Sequence, residues 1–89
     1  MANITNARQF GAEVREARNK QGLSQENLAA QAGVSRAWLA RFETGHPTAS
    51  VGPLFRVLAA LDLSLDLVQR TVTEAEAAVL AALAARAKR

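Results

Sequence analysis

The sequence contains no cysteine and no tyrosine, and only one histidine and one tryptophan. Without cysteine the chain forms neither disulfides nor thiolate metal sites, which fits the reducing cytoplasm. Its carboxylates are scattered, and no glycine-rich phosphate loop or metal-ligand spacing occurs. We therefore expect a cytoplasmic protein that is not an enzyme and that uses no cofactor or metal.

Long apolar runs are absent as well. No uninterrupted stretch approaches the roughly 20 residues that a membrane-spanning helix needs. The first residues, M-A-N-I-T-N-A-R, contain no apolar region of a secretory signal. We therefore expect no membrane partner and no signal peptide. With 89 residues, 49% of them apolar, the chain is typical of one small globular domain with a modest core.

Net positive charge is absent outside the C-terminus. The net charge is +3, but three basic residues are Arg86, Lys88 and Arg89, so that residues 1–85 carry eight basic and eight acidic groups. At the end of a helix these three residues suit the helix dipole better than a nucleic-acid contact. Any DNA-binding surface must therefore depend on the placement of a few side chains rather than on bulk charge.

The segment from Ser24 to Gly45 has the pattern of two short helices joined by a tight turn. Ser24 and Ser35 are favourable N-caps, and Gly33 lies where a helix end favours a residue that tolerates positive φ. Because only three residues separate the helices, they must cross steeply, as in a helix-turn-helix. The apolar residues that recur at helical spacing are Leu28, Ala29, Ala32, Leu39 and Phe42.

Three further helices are predicted around this motif. The first runs from about Asn6 to Lys20 with Thr5 as its N-cap, and the fourth begins at Ser50. The fifth is rich in alanine and opens with a capping box from Thr73 to Glu76. The predicted divisions are a helical DNA-binding domain (1–62), a strand (63–70) and a C-terminal helix (71–89).

The segment 63–70 breaks the helical pattern, because Leu63, Leu65 and Leu67 recur with a period of two. A single strand in a helical domain leaves its backbone donors and acceptors without partners. We therefore predict that it pairs with the same strand of a second copy about a two-fold axis and makes a homodimer. The alternatives are an extended coil and a continuation of the fourth helix.

The triplets Leu23-Ser24-Gln25 and Gly33-Val34-Ser35 make the chain, from about Phe10 to Leu63, resemble the phage-repressor (Cro/Xre) type of helix-turn-helix. This resemblance implies an all-α, lambda-repressor-like domain of four to five helices that binds DNA. Within the family, Ser50 to Leu65 resembles the HipB-like antitoxins, whose helical domain is followed by a strand that pairs across the dimer. The alanine-rich helix departs from that pattern.

The N-terminal residues of a recognition helix contact base edges. Arg36 is the main candidate, because a guanidinium can donate to guanine O6 and N7 together, which contributes about 1–3 kcal/mol of discrimination. Arg41 is a candidate for a base or a phosphate, and small Ala37 and Ala40 for a thymine methyl. For both arginines the alternative is a solvated surface position. The predicted base-contacting residues are Ser35, Arg36, Ala37, Ala40 and Arg41.

A second group is predicted to contact phosphates. Gln25 begins the first motif helix, where free N–H groups favour an anion, and the resembled family uses a glutamine there for a backbone contact. Thr44 and His46 follow the recognition helix, and Trp38 offers an indole N–H. The alternatives are a plain loop role for His46 and packing over the arginines for Trp38.

The resemblance also implies a structural ion pair. In that family an arginine of the first helix pairs with a glutamate that ends the recognition helix, and Arg18 and Glu43 occupy those places. Such a pair fixes the recognition helix on its scaffold and does not contact bases. Breaking one side of it is expected to cost several kcal/mol.

The function predicted first is a homodimeric transcriptional repressor that binds a palindromic operator in double-stranded DNA. By resemblance it also represses its own operon and binds a HipA-like kinase toxin, as the antitoxin of a toxin-antitoxin system. One alternative is a prokaryotic or phage regulator of the same fold without a toxin. The other is a protein-interaction module on the same scaffold, which the near-neutral charge of residues 1–85 favours.

Overall fold

The computed structural model describes residues 3–69 and 74–87, which contain five α-helices and no strand. The helices are α1 (Ala7–Lys20), α2 (Gln25–Ala32), α3 (Arg36–Glu43), α4 (Val51–Ala60) and α5 (Glu74–Ala87). This order confirms the predicted all-α class. None of these helices is both long enough and apolar enough to cross a membrane.

The first four helices share one core. α2 packs against α3 and α4, and α3 also packs against α1. Leu28, Leu39 and Val57 are completely buried, each contributing about 1.5–3 kcal/mol through the removal of its side chain from water. Because every one of the four helices supplies buried residues, the core fixes the orientation of α3. The core residues are Val14, Leu28, Ala29, Ala32, Leu39, Phe42, Val57, Leu58 and Leu61.

The N-cap of α1 is Asn6, so the prediction of Thr5 was wrong by one residue. The Asn6 side chain accepts a hydrogen bond from the Gln9 N–H at 2.8 Å. Thr5 instead donates its backbone N–H and its hydroxyl to Gln9 Oε1, at 2.9 and 3.0 Å. Two adjacent residues with cap-forming side chains leave this choice open in the sequence, and asparagine is the better cap.

After α4 the chain turns away from the core. Asp62 has a positive φ of 58°, and the Leu63 N–H donates to the Leu58 carbonyl at 2.8 Å. Residues 64–69 are exposed and have no regular secondary structure, so the predicted strand is not present in the single chain. The physical reason is that one chain offers this segment no neighbouring strand to complete a ladder. The single chain therefore shows neither a strand nor a continuation of α4 in this segment.

The helix α5 contributes nothing to this core. Every residue from 75 to 87 is exposed, including Val79, Leu80 and Leu83. The predicted capping residue Thr73 lies outside the described residues, as do Arg70, Lys88 and Arg89. The fold therefore consists of a packed four-helix domain followed by exposed C-terminal residues.

Candidate nucleic-acid interface

The turn between α2 and α3 has the predicted geometry. Gly33 adopts the left-handed conformation, with φ 70° and ψ 33°, and the Val34 N–H donates to the Ala29 carbonyl at 3.0 Å. Ser24 Oγ and Ser35 Oγ each accept a backbone N–H at the start of their helices, at 3.0 Å. These bonds satisfy helix ends that are otherwise unpaired. The short turn therefore fixes how α3 crosses α2.

The helix α3 presents one buried side and one exposed side. Leu39 and Phe42 are buried in the core. The opposite side carries residues 36, 37, 40 and 41, a spacing that puts them on one helical face. Of the predicted base-contacting residues, four are exposed and Ala40 is half-buried. The structure thus brings the whole group together at one surface, which we call the α3 strip: Ser35, Arg36, Ala37, Ala40 and Arg41.

Trp38 lies beside this strip and packs on an aromatic cluster. Its ring stacks on Phe42, with centroids 5.3 Å apart and planes 8° from parallel. Phe42 in turn meets the ring of Phe10 edge to face at 5.4 Å. His46 lies 6.5 Å from Trp38 between ring centroids. Trp38 and His46 are therefore neighbours at the end of the motif, and both are half-buried. The sequence did not predict this stacking.

Arg18 and Glu43 form the ion pair that the resemblance implied. Arg18 Nε and Nη2 donate to the two carboxylate oxygens of Glu43 at 2.7 and 2.9 Å, and Nη1 donates to the Leu23 carbonyl at 2.8 Å. Both residues are buried. The hydrogen bond to Glu43 raises the pKa of Arg18 above its ordinary value, with burial opposing and the charge of Glu43 assisting. The pair therefore ties α1 to the C-terminal end of α3.

Gln25 joins the same network. Its Nε2 donates to Glu43 Oε1 at 3.1 Å, so the first residue of α2 is bonded to the last residue of α3. A glutamine amide has a second N–H, and that donor is what a phosphate contact by Gln25 requires. Thr44 differs, because its hydroxyl donates to the Arg41 carbonyl at 3.0 Å. A phosphate only accepts hydrogen bonds, so contact through Thr44 Oγ1 requires this bond to be exchanged.

Gly11 sets the distance between α1 and α3, and the sequence analysis missed it. A methyl group at Gly11 would overlap the Phe42 carbonyl oxygen and lie 2.9 Å from the carbonyl carbon of Glu43. The backbone of α1 therefore rests directly on the C-terminal end of α3. The available signal was a glycine inside a predicted helix, which costs about 1 kcal/mol relative to alanine and so indicates a packing requirement.

Two more side chains that were not predicted link the ends of helices, one joining α4 to α2 and the other joining the end of α1 to the end of α4. Arg56 Nε donates to the Ala32 carbonyl at 3.1 Å, at the C-terminal end of α2. Gln21 Nε2 donates to the Leu61 carbonyl at 2.8 Å, just after α4. Both satisfy carbonyl groups that have no partner within their own helix. No buried side-chain polar atom in the described part of the chain lacks a partner.

The amino-acid sequence is similar to those of known proteins. The sequence model of a family described as a helix-turn-helix domain matches residues 9–71. An uncharacterized HTH-type transcriptional regulator, y4mF, from Sinorhizobium fredii is 41% identical over 58 residues. That alignment covers 65% of this chain and 76% of the relative.

Solved structures share the fold. The regulator of biofilm formation SinR, in complex with DNA, is 32% identical with a TM-score of 0.58, over 62% of this chain and 89% of that chain. A chain of the HipA-HipB-O2-O3 complex is 24% identical with a TM-score of 0.74, over 80% of this chain and 100% of that chain. At 24% identity, the similarity to the chain of the HipA-HipB-O2-O3 complex establishes a shared fold only.

Proposed function

The chain belongs to the helix-turn-helix domain family of transcriptional regulators, and we propose that it is a sequence-specific DNA-binding repressor that acts as a homodimer. The observation that carries this proposal is the α3 strip. Its side chains are exposed on a helix whose other side is locked into the core. A rigid helix with an exposed polar N-terminal end is suited to the major groove of DNA.

Base reading is assigned first to Arg36, the first residue of α3. Its exposed guanidinium can reach O6 and N7 of one guanine, a pairing that other bases do not offer. Arg41 lies one turn further along the same strip, within reach of a base or a phosphate. The side chains of Ala37 and Ala40 are small, so that α3 can approach the base edges closely.

Register on the duplex is assigned to the phosphate contacts, because such contacts position a protein without reading sequence. Gln25 contributes its second amide N–H, and Trp38 and His46 contribute ring N–H groups from beside the strip. Thr44 completes the predicted group, after exchange of its bond to Arg41. The Arg18–Glu43 pair acts indirectly, by holding the two ends of the motif in place.

The homodimer is proposed to form through residues 63–69. In the single chain Leu63, Leu65 and Leu67 are all exposed, Leu67 at 99%. A second copy in antiparallel register supplies both a backbone partner and cover for these leucines. Two copies of α3 then enter successive major grooves about 34 Å apart, which predicts a palindromic operator.

The finer role is proposed to be that of an antitoxin that represses its own operon and binds a HipA-like kinase toxin in the cytoplasm. What favours it is the fold shared over 80% of this chain with HipB, whose structure was solved with HipA and the O2-O3 sites. The second candidate is a regulator without a toxin, favoured by the higher identity to y4mF and SinR. Co-expression with the product of the adjacent gene separates the two, because only an antitoxin forms a stoichiometric complex with it.

The decisive experiment compares Arg36→Ala with Arg15→Ala. A preferred site is first selected from random duplexes, and affinity is then measured for that site and for a scrambled duplex at one salt concentration. Arg36→Ala should reduce the ratio of the two affinities by about 5- to 150-fold, corresponding to about 1–3 kcal/mol of lost base discrimination.

Arg15 is the matched control, because it is also an exposed arginine but lies on α1, outside the motif. Its replacement should leave the ratio unchanged, even if it lowers both affinities through loss of charge. If Arg36→Ala also leaves the ratio unchanged, α3 does not read bases through Arg36. If no site is selected at all, a protein-interaction module replaces the repressor.

A further inference from the structure

The helix α5 carries an apolar stripe with opposite charges at its two ends. Glu76, Val79, Leu83 and Arg86 follow one another at spacings of three, four and three residues, which places them on one face. Val79 and Leu83 are 59% and 54% exposed. An isolated helix of this length is marginal in water, and helices in proteins are stabilised mainly by packing an apolar face. This stripe therefore needs a partner surface.

The stripe is complementary to itself when it is reversed. In an antiparallel pair centred on Ala81, Val79 lies opposite Leu83 of the second copy, and Glu76 lies opposite Arg86 of the second copy. A two-fold axis repeats both contacts, so four apolar side chains are flanked by two pairs of opposite charge. A parallel pair instead brings Glu76 next to Glu76 and Arg86 next to Arg86. Charge therefore selects the antiparallel arrangement.

Glu76 and Arg86 do not pair with each other within one helix. Glu76 and Arg86 are ten residues apart, about 15 Å along the axis, whereas helical ion pairs form at spacings of three or four. Ala75 and Ala82 border the stripe. Small side chains there allow two helix axes to approach at the short end of the usual range of about 8–10 Å.

From this self-complementarity we propose that α5 joins two copies of the chain as an antiparallel helix pair. The surface that packs against the α5 stripe is therefore the α5 stripe of a second copy, and not the four-helix domain or a different protein. This contact adds to the homodimer proposed above and does not depend on the pairing of residues 63–69. It gives a role to the helix that departs from the HipB-like pattern.

The test is a charge exchange between two full-length variants, Glu76→Arg and Arg86→Glu. In either homodimer the substitution brings like charges together at both ends of the stripe. In the mixed dimer both ends have opposite charges. One variant carries a short N-terminal tag, and the equilibrated mixture is analysed by native mass spectrometry. We expect roughly 80% mixed dimer instead of the random half, from pair energies typical of exposed ions.

The matched control mixes Ala81→Arg with Ala81→Glu. Ala81 lies about 200° around the helix from Val79, so these charges face away from the proposed partner and should leave the mixed dimer at one half. If the Glu76 and Arg86 variants also give one half, the dimer forms through another surface and the proposal is wrong. If every variant and the parent chain are monomers, this proposal and the proposed homodimer both fail. Because Glu76 also belongs to the predicted capping box of α5, circular dichroism of each variant distinguishes a loss of helix from a loss of pairing.

Discussion

The four-helix domain buries large apolar side chains in a core, whereas the C-terminal residues expose theirs. The domain encloses nine apolar residues and pairs its two buried charges with each other. Residues 64–69 and 75–87 expose every side chain, although leucine and valine recur among them. The domain is therefore stabilised by contacts within one chain, whereas we propose that the C-terminal residues are covered by a second chain. Substitutions in the domain should change stability, whereas substitutions in the C-terminal residues should change association.

The largest effect is expected at Gly11. In Gly11→Ala the new methyl group meets backbone atoms of Phe42 and Glu43, which cannot rotate away. The two helices must move apart, and overpacking of this kind typically costs about 1–3 kcal/mol, occasionally more. We expect the free energy of unfolding, measured by urea denaturation, to fall by more than about 3 kcal/mol. Operator affinity should fall as well, because α3 rests on this contact.

Gly52→Ala is the matched control for Gly11→Ala. Gly52 lies in the first turn of α4, and a methyl group there meets no atom within 4 Å. Alanine should change the free energy of unfolding by less than about 1 kcal/mol, because its better helix propensity is offset by the restriction that Pro53 places on a preceding residue with a Cβ. An equal loss of stability in both variants would show that the close approach of α1 and α3 does not exist in solution.

The buried ion pair is expected to give the next largest effect. Glu43→Ala leaves Arg18 charged and deprived of both carboxylate contacts, which should cost about 3 kcal/mol. Changing the pH should not relieve this cost, because a guanidinium stays protonated across the range in which the variant can be measured. The double variant Arg18→Met, Glu43→Leu removes both charges and should restore most of the stability. A double variant no more stable than Glu43→Ala would indicate that packing, and not the uncompensated charge, is what Glu43 supplies.

Association, and not stability, is expected to change in Leu65→Asp. Leu65 is exposed in the single chain, so the unfolding of the domain should shift by less than about 0.5 kcal/mol. In the proposed ribbon the same substitution places two like charges across a two-fold axis and should shift the chain toward monomer in sedimentation equilibrium. Ser64→Asp is the control, because neighbouring residues of a strand point to opposite faces. A Leu65→Asp protein that remains a full dimer excludes this segment as the interface.

The sequence predicts those parts of the fold that depend on neighbouring residues. The caps at Ser24 and Ser35 and the turn at Gly33 are local signals, and the structure has all three. The Arg18–Glu43 pair came from a family resemblance and not from spacing, since 25 residues separate its members. The ribbon could not be settled, because its hydrogen-bonding partner is not in the same chain.

Contacts missed from the sequence all depend on how helices cross. Gly11 meets Phe42, Arg56 reaches Ala32, and Gln25 reaches Glu43 only because α1, α2, α3 and α4 pack at particular angles. Periodicity shows which side of a helix is buried, but it does not show which residue lies opposite. The composition of the α3 strip was accessible because exposure on one helix follows from periodicity alone.

The smallest expected change in DNA binding separates two roles of one hydroxyl at the edge of the α3 strip. Ser35 Oγ accepts the Trp38 N–H, as Ser24 Oγ accepts the Asn27 N–H, both at 3.0 Å. Because the two bonds are alike, Ser35→Ala and Ser24→Ala should each lower the free energy of unfolding by about 1 kcal/mol. The Ser35 hydroxyl accepts the cap bond and can also donate its O–H to a base in the proposed complex, whereas Ser24 lies outside the α3 strip. Only Ser35→Ala should therefore also reduce the ratio of operator to scrambled affinity, by a few-fold. If both variants change that ratio equally, the contribution of Ser35 to DNA binding is its cap on α3 and not a contact with DNA.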